Sequence, residues 1–180
     1  MAKFIYIDNS NVFIEGQRVA AVRNGNALDM VDAQTRGVFD TGYRMDFGKL
    51  YRFLARNGAS AVGRAVLFGS RPPPNDTLWA IAKSEGFELV IEDRNVENRE
   101  KKIATGIVTA MAKDAYTRAD KSADMFTLVA GDGDYVPVVR TLVEDGFTVN
   151  VTFWDHASRE LQNTASSFIP MNPHFDALAL

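Results

Sequence analysis

The sequence predicts an α/β fold: a central parallel sheet of five strands with helices on both faces. Two observations carry that prediction. Five short apolar, β-rich runs (Phe4–Ile7, Ala65–Phe68, Phe87–Ile91, Met125–Ala130 and Phe147–Trp154) alternate with segments whose apolar residues recur at helical spacing. The first and fourth runs are nearly continuous rather than alternating, as suits strands covered on both faces. Strand and helix alternate in this way from end to end, the pattern of a layered parallel sheet.

Each element has its own signal. After the first strand, the segment from Asn11 to Asn24 reads as a helix ending at Gly25. Residues 25–44 show no clear period, so a long irregular connection is expected there. Phe47, Leu50 and Leu54 form one helical stripe, and Leu78, Ile81 and Ala82 another. Arg71-Pro72-Pro73-Pro74 cannot be helical, and Asn75 or Asp76 can cap the helix that follows. Ile103, Ile107, Met111 and Ala115 make a third stripe, and Val136, Val139, Leu142 and Val143 a fourth. Gly58, Gly86 and Gly146 stand just past helical stripes and just before strands, where a left-handed residue closes a helix.

Composition narrows the function classes. With 46% hydrophobic residues the 180-residue chain can bury a core, and at ~150 residues per domain a single domain over 1–180 is expected. Twenty basic against 23 acidic residues leave a net charge of −3, so any contact with nucleic acid must come from a local patch. The absence of cysteine excludes disulfides, zinc ribbons and thiol catalysis. The opening run of four apolar residues is too short for a signal peptide, and no stretch approaches the ~18 apolar residues of a membrane span. A cytoplasmic protein with no membrane partner is expected, with oligomeric state left open, a homodimer included.

Ligands of open α/β sheets bind at the carboxyl ends of the strands. Two strands here run into carboxylates: the first stops at Asp8, followed by Asn9, Ser10 and Asn11, and the fourth breaks at Gly131-Asp132-Gly133-Asp134-Tyr135. If the strands are neighbours, Asp8 and Asp132 approach each other, and carboxylates that close need a cation between them. Hard oxygen donors suit Mg²⁺ or Mn²⁺, and such a site favours phosphodiester hydrolysis. Plainer roles compete. Asp134 can be a helix N-cap with Pro137 in the first turn, and Asp132 a turn residue between glycines.

The opening FIYIDNSNVF resembles the start of NYN-domain proteins, a LabA-like branch of the PIN-like nucleases. TLVAGDGDYVPVVRTLVEDGFTVNV resembles that family's second signature, and the tail from Ser158 to Ala165 and Phe168 is similar to its closing helix. The resemblance implies a PIN-like three-layer sandwich with strand order 3-2-1-4-5, and metal-dependent cleavage of RNA, single-stranded or structured. It carries Asp8, Asp132 and Asp134 over as the metal-binding, catalytic acids, with Asn11 as their polar partner. One limb departs from the family. In Glu100-Lys101-Lys102-Ile103-Ala104 the family Lys is matched by Lys101, but its acidic position three residues later holds Ala104. Natural decay to a non-catalytic RNA- or protein-binding module would explain this, as would an inactivating Asp→Ala exchange in an intact motif. The intact neighbours favour the exchange. Glu100 and Asp114 match no family position and read more simply as solvated helix charges.

Arg99, Lys101 and Lys102, with Arg94, gather at the entry to this helix and are the expected substrate-binding cations. Lys49, Arg52 and Arg56 read as a solvated helix face. Tyr43 could stack on a base, with the 25–44 segment as a groove wall. His156 and His174 share no ligand spacing and are not assigned to catalysis, and Trp79 and Trp154 are expected in or near the core. An aspartyl-nucleophile phosphatase is disfavoured because Asp8-Asn9-Ser10 lacks a second Asp two residues on. A glycosyltransferase would leave Asp8 unexplained.

Overall fold

Strand β1 (Ala2–Asp8) lies at the centre of the sheet, and its side chains explain why its apolar run is unbroken. Ile5 and Ile7 point into one core, and Phe4 and Tyr6 into the other. The structure, a computed structural model, describes residues 1–56, 61–71, 77–93 and 99–180. Gly58, the Pro72–Pro74 run, the caps Asn75 and Asp76, and Arg94 lie outside the described residues.

β1 pairs in parallel with β2 (Ala61–Arg71) on one side and β4 (Met125–Val129) on the other. β3 (Glu88–Asp93) extends the sheet beyond β2, and β5 (Thr148–Phe153) beyond β4. A further strand, β6 (Ser167–Pro170), pairs with β5, so the order is 3-2-1-4-5-6 and all pairs are parallel. The predicted order is therefore present, with one strand added at an edge. The sequence reading carried the closing helix to Phe168, but α7 (Arg159–Thr164) ends before Ala165, whose backbone is extended, and Phe168 pairs with Val151. Four residues ending in proline give no alternation to read, and proline is tolerated there because the strand is at the edge.

One face of the sheet is covered by α1 (Asn9–Arg23), α3 (Phe47–Arg56), α4 (Thr77–Ser84) and α8 (Phe175–Leu178), which share a core with Ile5, Ile7 and Trp154. The other face is covered by α5 (Arg99–Thr117), α6 (Val136–Glu144) and α7, packed on Tyr6, Phe126 and Leu128. The α5 stripe Ile103, Ile107, Met111 and Ala115 is buried throughout. The α4 stripe is so only at Ala82: Leu78 and Ile81 are 45% and 48% exposed, and Trp79 is buried in their place. The reason is Gly69 on β2, where an added Cβ would lie 2.5 Å from the Trp79 ring. The bare glycine makes a seat for the indole and sets the rotation of the helix. Within residues 25–44 a short helix, α2 (Met30–Arg36), is capped by the Asp29 side chain and closed by Gly37 at φ 65°. It buries only Ala33, so it leaves no apolar period. Tyr43 does not face solvent. It is 7% exposed and stacks on Phe175 at 4.3 Å between ring centres. No described helix is long and apolar enough to cross a membrane.

Asp114 on α5 corrects another expectation. It is fully buried rather than solvated. The Tyr6 hydroxyl donates to it at 2.5 Å, Arg64 of β2 forms an ion pair with it, and Arg118 Nε lies 3.4 Å away. Arg64 also pairs with Glu88 of β3 at 3.0 Å, so one carboxylate ties α5 across three strands. Removing one partner of a buried ion pair leaves the other uncompensated, at a cost of about 3–5 kcal/mol. Asp114→Ala should therefore lower unfolding free energy in urea by about 3 kcal/mol. Arg118→Ala, whose side chain is 53% exposed, should cost under about 1 kcal/mol. Equal, small losses for both would show that the network does not hold the helix to the sheet.

Candidate active site

The site begins where β1 hands over to α1. Asp8 is the helix N-cap: one carboxylate oxygen accepts the backbone N–H of Asn11 at 3.2 Å. In β1 and β4, Ile7 pairs with Val129, so the two strands end side by side. The chain leaving β4 then passes through Gly131, whose N–H donates to the Asn11 side-chain oxygen at 2.9 Å. Asp132 accepts the N–H of Asp134 at 3.0 Å and opens a single 3₁₀ turn over Gly133–Tyr135. Asp132 thus caps the 3₁₀ turn, while α6 starts after Tyr135 without a side-chain cap, so Asp134 is not its N-cap; Pro137 sits in the first turn of α6 as expected. Tyr135 closes the clasp by donating its hydroxyl to the other oxygen of Asp8 at 2.8 Å.

The Tyr135 phenol reports the field here. Burial, then the charge and hydrogen bond of Asp8, then the charges of Asp132 and Asp134 all push its pKa far above the ordinary value. The three acids therefore bear on one hydroxyl, which stays a proton donor across the physiological range. They line one cavity of about 370 Å³ with Asn11. Lys101, Ile103 and Ala104 of α5 form a second wall, and Ile14, Glu15 and Arg18 of α1 a third. Ala104 thus presents a methyl group to the cavity, while also packing against the core. Lys102 lines a neighbouring groove with Arg64, Lys113 and Arg118 rather than this cavity. The backbone of Arg99 begins α5, but its side chain and that of Glu100 lie outside the described residues.

Among the described residues no three Asp, Glu or His side chains are grouped so that they could together hold a metal ion. The donors that face the cavity are hard oxygens. That chemistry fits a magnesium- or manganese-type ion held by one or two carboxylates with water completing the shell. Asp8, Asp132 and Asp134 are the carboxylates that line the cavity and could supply such ligands.

Ile14, Glu15 and Arg18 of the α1 wall went unread in the sequence. Glu15 is buried; its carboxylate pairs with Arg18 and accepts from Gln34, and its Oε2 lies 2.6 Å from His156 Nε2. Burial alone would raise the Glu15 pKa, but the hydrogen bond to His156 and the charges of Arg18 and His156 overcome it and hold the carboxyl below the usual range. Asn11, Ile14, Glu15 and Arg18 follow helical spacing from Asp8, and that period is the signal that marks one face of α1 as a cavity wall.

An NYN domain model matches residues 5–172 of the chain. No curated protein matches it. A solved structure of a protein of unknown function from Vibrio parahaemolyticus is similar in fold, with a TM-score of 0.69 at 16% identity, covering 99% of this chain and 96% of that one.

Two outcomes follow from the clasp. A Cβ at Gly131 would lie 2.2 Å from the Phe153 ring, so Gly131→Ala should destabilise the protein by about 1–3 kcal/mol through overpacking. Gly133→Ala, whose nearest contact is 3.4 Å, should be nearly silent in the same denaturation series. Because the folded pKa of Tyr135 is raised above 10.0, the stability it contributes is fully present below pH 10 and is lost as pH rises towards the folded value. Tyr135→Phe should show a shallower decline in that alkaline window, and an unchanged slope would remove Tyr135 as its source.

Proposed function

The chain belongs to the NYN-domain family of the PIN-like nuclease superfamily, and from that premise we propose that its cavity is the site of a metal-dependent endoribonuclease, weakened here at position 104. The observation that carries this reading is the meeting of Asp8, Asp132 and Asp134 at one cavity beyond the carboxyl ends of adjacent parallel strands. A magnesium or manganese ion bound there supplies positive charge to the phosphate and lowers the pKa of its water.

The chain's own groups have separable tasks. Asp8 and Asp132 would hold the ion, and Asp134 adds negative charge at the same mouth. Asn11 fixes the loop after β4 by accepting from Gly131, and Tyr135 fixes the Asp8 carboxylate by donating to it. Lys101, on the α5 wall, offers a cation to a phosphate oxygen. Lys102 offers a further phosphate contact from the neighbouring groove, and Arg99 is the third cation of this reading. Ala104 stands where the family carries an acid, and a methyl group can neither hold a cation nor take a proton from water. The second reading, a non-catalytic RNA- or protein-binding module, draws its support from that same methyl group.

Restoring the acid separates the two. Ala104→Asp should raise Mg²⁺- or Mn²⁺-dependent cleavage of single-stranded RNA by ~10² or more, the order expected when a positioned acid–base group is supplied. Equal cleavage by both proteins would remove position 104 from the mechanism. Mn²⁺ should also raise the melting temperature, and Asp8→Asn should abolish that shift. A Mn²⁺ shift that persists in Asp8→Asn would place the ion elsewhere.

A further inference from the structure

The α1 wall of the cavity carries a group that the hydrolytic reading leaves unused. Arg18 lines the cavity two helical turns beyond Asn11, about 10 Å along the axis from the rise per residue. Its long side chain leans back towards the helix N-terminus, as helical side chains do, which shortens its distance from the carboxylates. Between them Ile14, 42% exposed, presents an apolar surface to the same cavity.

Arg18 is not an ordinary surface cation. Its partner Glu15 is buried, and that carboxylate is itself held from two other elements. His156, in the loop after β5, lies 2.6 Å from it, and Gln34 of α2 donates to it at 3.4 Å. Glu15 therefore divides its charge among three neighbours while it orients one guanidinium. Nη1 of Arg18 is taken by Glu15 and Nε is buried, while the side chain keeps 24% of its surface exposed and lines the cavity. A solvated pair at this spacing would need neither a buried carboxylate nor anchors from α2 and the β5 loop, because such pairs form in water for little gain.

We propose that Arg18 forms a second phosphate subsite, which engages the phosphate next to the one at the carboxylates, while Ile14 contacts the nucleoside between them. The cavity then reads two consecutive phosphates of one strand. The guanidinium fork matches phosphate oxygens in a bidentate way, and the Glu15 pair holds it ready. This inference rests on the nuclease reading of the cavity, but it concerns binding and is tested without turnover.

The test is titration calorimetry with Mn²⁺ on the chain as it stands, with uridine 5′-monophosphate and 5′-phosphorylated diuridine as ligands. Arg18→Ala should weaken the dinucleotide by about tenfold and the mononucleotide by less than about twofold, the size of one charged hydrogen-bonding contact. Glu15→Gln should erode the same preference. Arg18→Lys, which keeps the charge but not the fork, should lose part of it and serves if the alanine variant does not fold. Equal weakening of both ligands, or of neither, would overturn the subsite while leaving the nuclease reading intact. If neither ligand binds the unaltered chain, both readings fall together.

Discussion

The pairing of β1 with β4 is the constraint on which the rest of the structure depends. Parallel strands in that register must end together, and whatever follows them shares a small volume at the sheet's carboxyl edge. The chain then fastens the two ends. Asn11 accepts from Gly131, and Tyr135 donates to Asp8, so each strand's exit is held by a side chain from the other's. Backbone hydrogen bonds of the ladder set the distance, and these side-chain bonds set the direction of the acids. Gly131 is part of the fastening because only a residue without a side chain can pass beside the Phe153 ring.

The electrostatics follow from the same geometry. Carboxylates brought together without a counter-charge repel, and the cost is met locally by N–H groups and a hydroxyl that donate to them. Asp8 is held by a backbone N–H and a phenol, and Asp132 by a backbone N–H. These bonds fix where the carboxylate oxygens of Asp8 and Asp132 point. An acid at position 104 would add a further negative charge on the facing wall, where the Ala104 methyl group adds none.

The layered fold was legible in the sequence because burial wrote it there twice, as continuous apolar strands and as helical stripes. The α5 stripe is an instance, with Ile103, Ile107, Met111 and Ala115 all buried as their spacing implies. What could not be read depends on contacts between distant residues. Trp79 displaces Leu78 and Ile81 from the core of α4 because Gly69, on another element, leaves room for it. β6 escaped because four residues beside an edge carry no period, and α2 because it buries a single alanine. Asp114 looks like any helix charge until Tyr6 and Arg64 are placed around it. In the site, the strand-end acids announced themselves by following apolar runs. Glu15 and Arg18 did not, because their partners His156 and Gln34 come from elsewhere in the fold.

Helix α1 links these levels. Its N-cap is Asp8, so the helix begins at the acid itself, and its axis carries the cavity wall outward through Ile14 and Arg18. Which side chains form that wall is decided on the opposite face. Trp154 donates its indole N–H to the Val12 carbonyl at 2.9 Å, and its ring lies where a Cβ on Gly16 would fall, 2.8 Å away. A carbonyl can accept from outside only where the helix is rotated to expose it, and a ring can approach this closely only over a glycine. The indole therefore fixes the rotation of α1 about its axis, and with it the positions of Asn11, Glu15 and Arg18. A core contact on one side of the helix thus determines the polar surface on the other, and fold and site cannot vary independently along it.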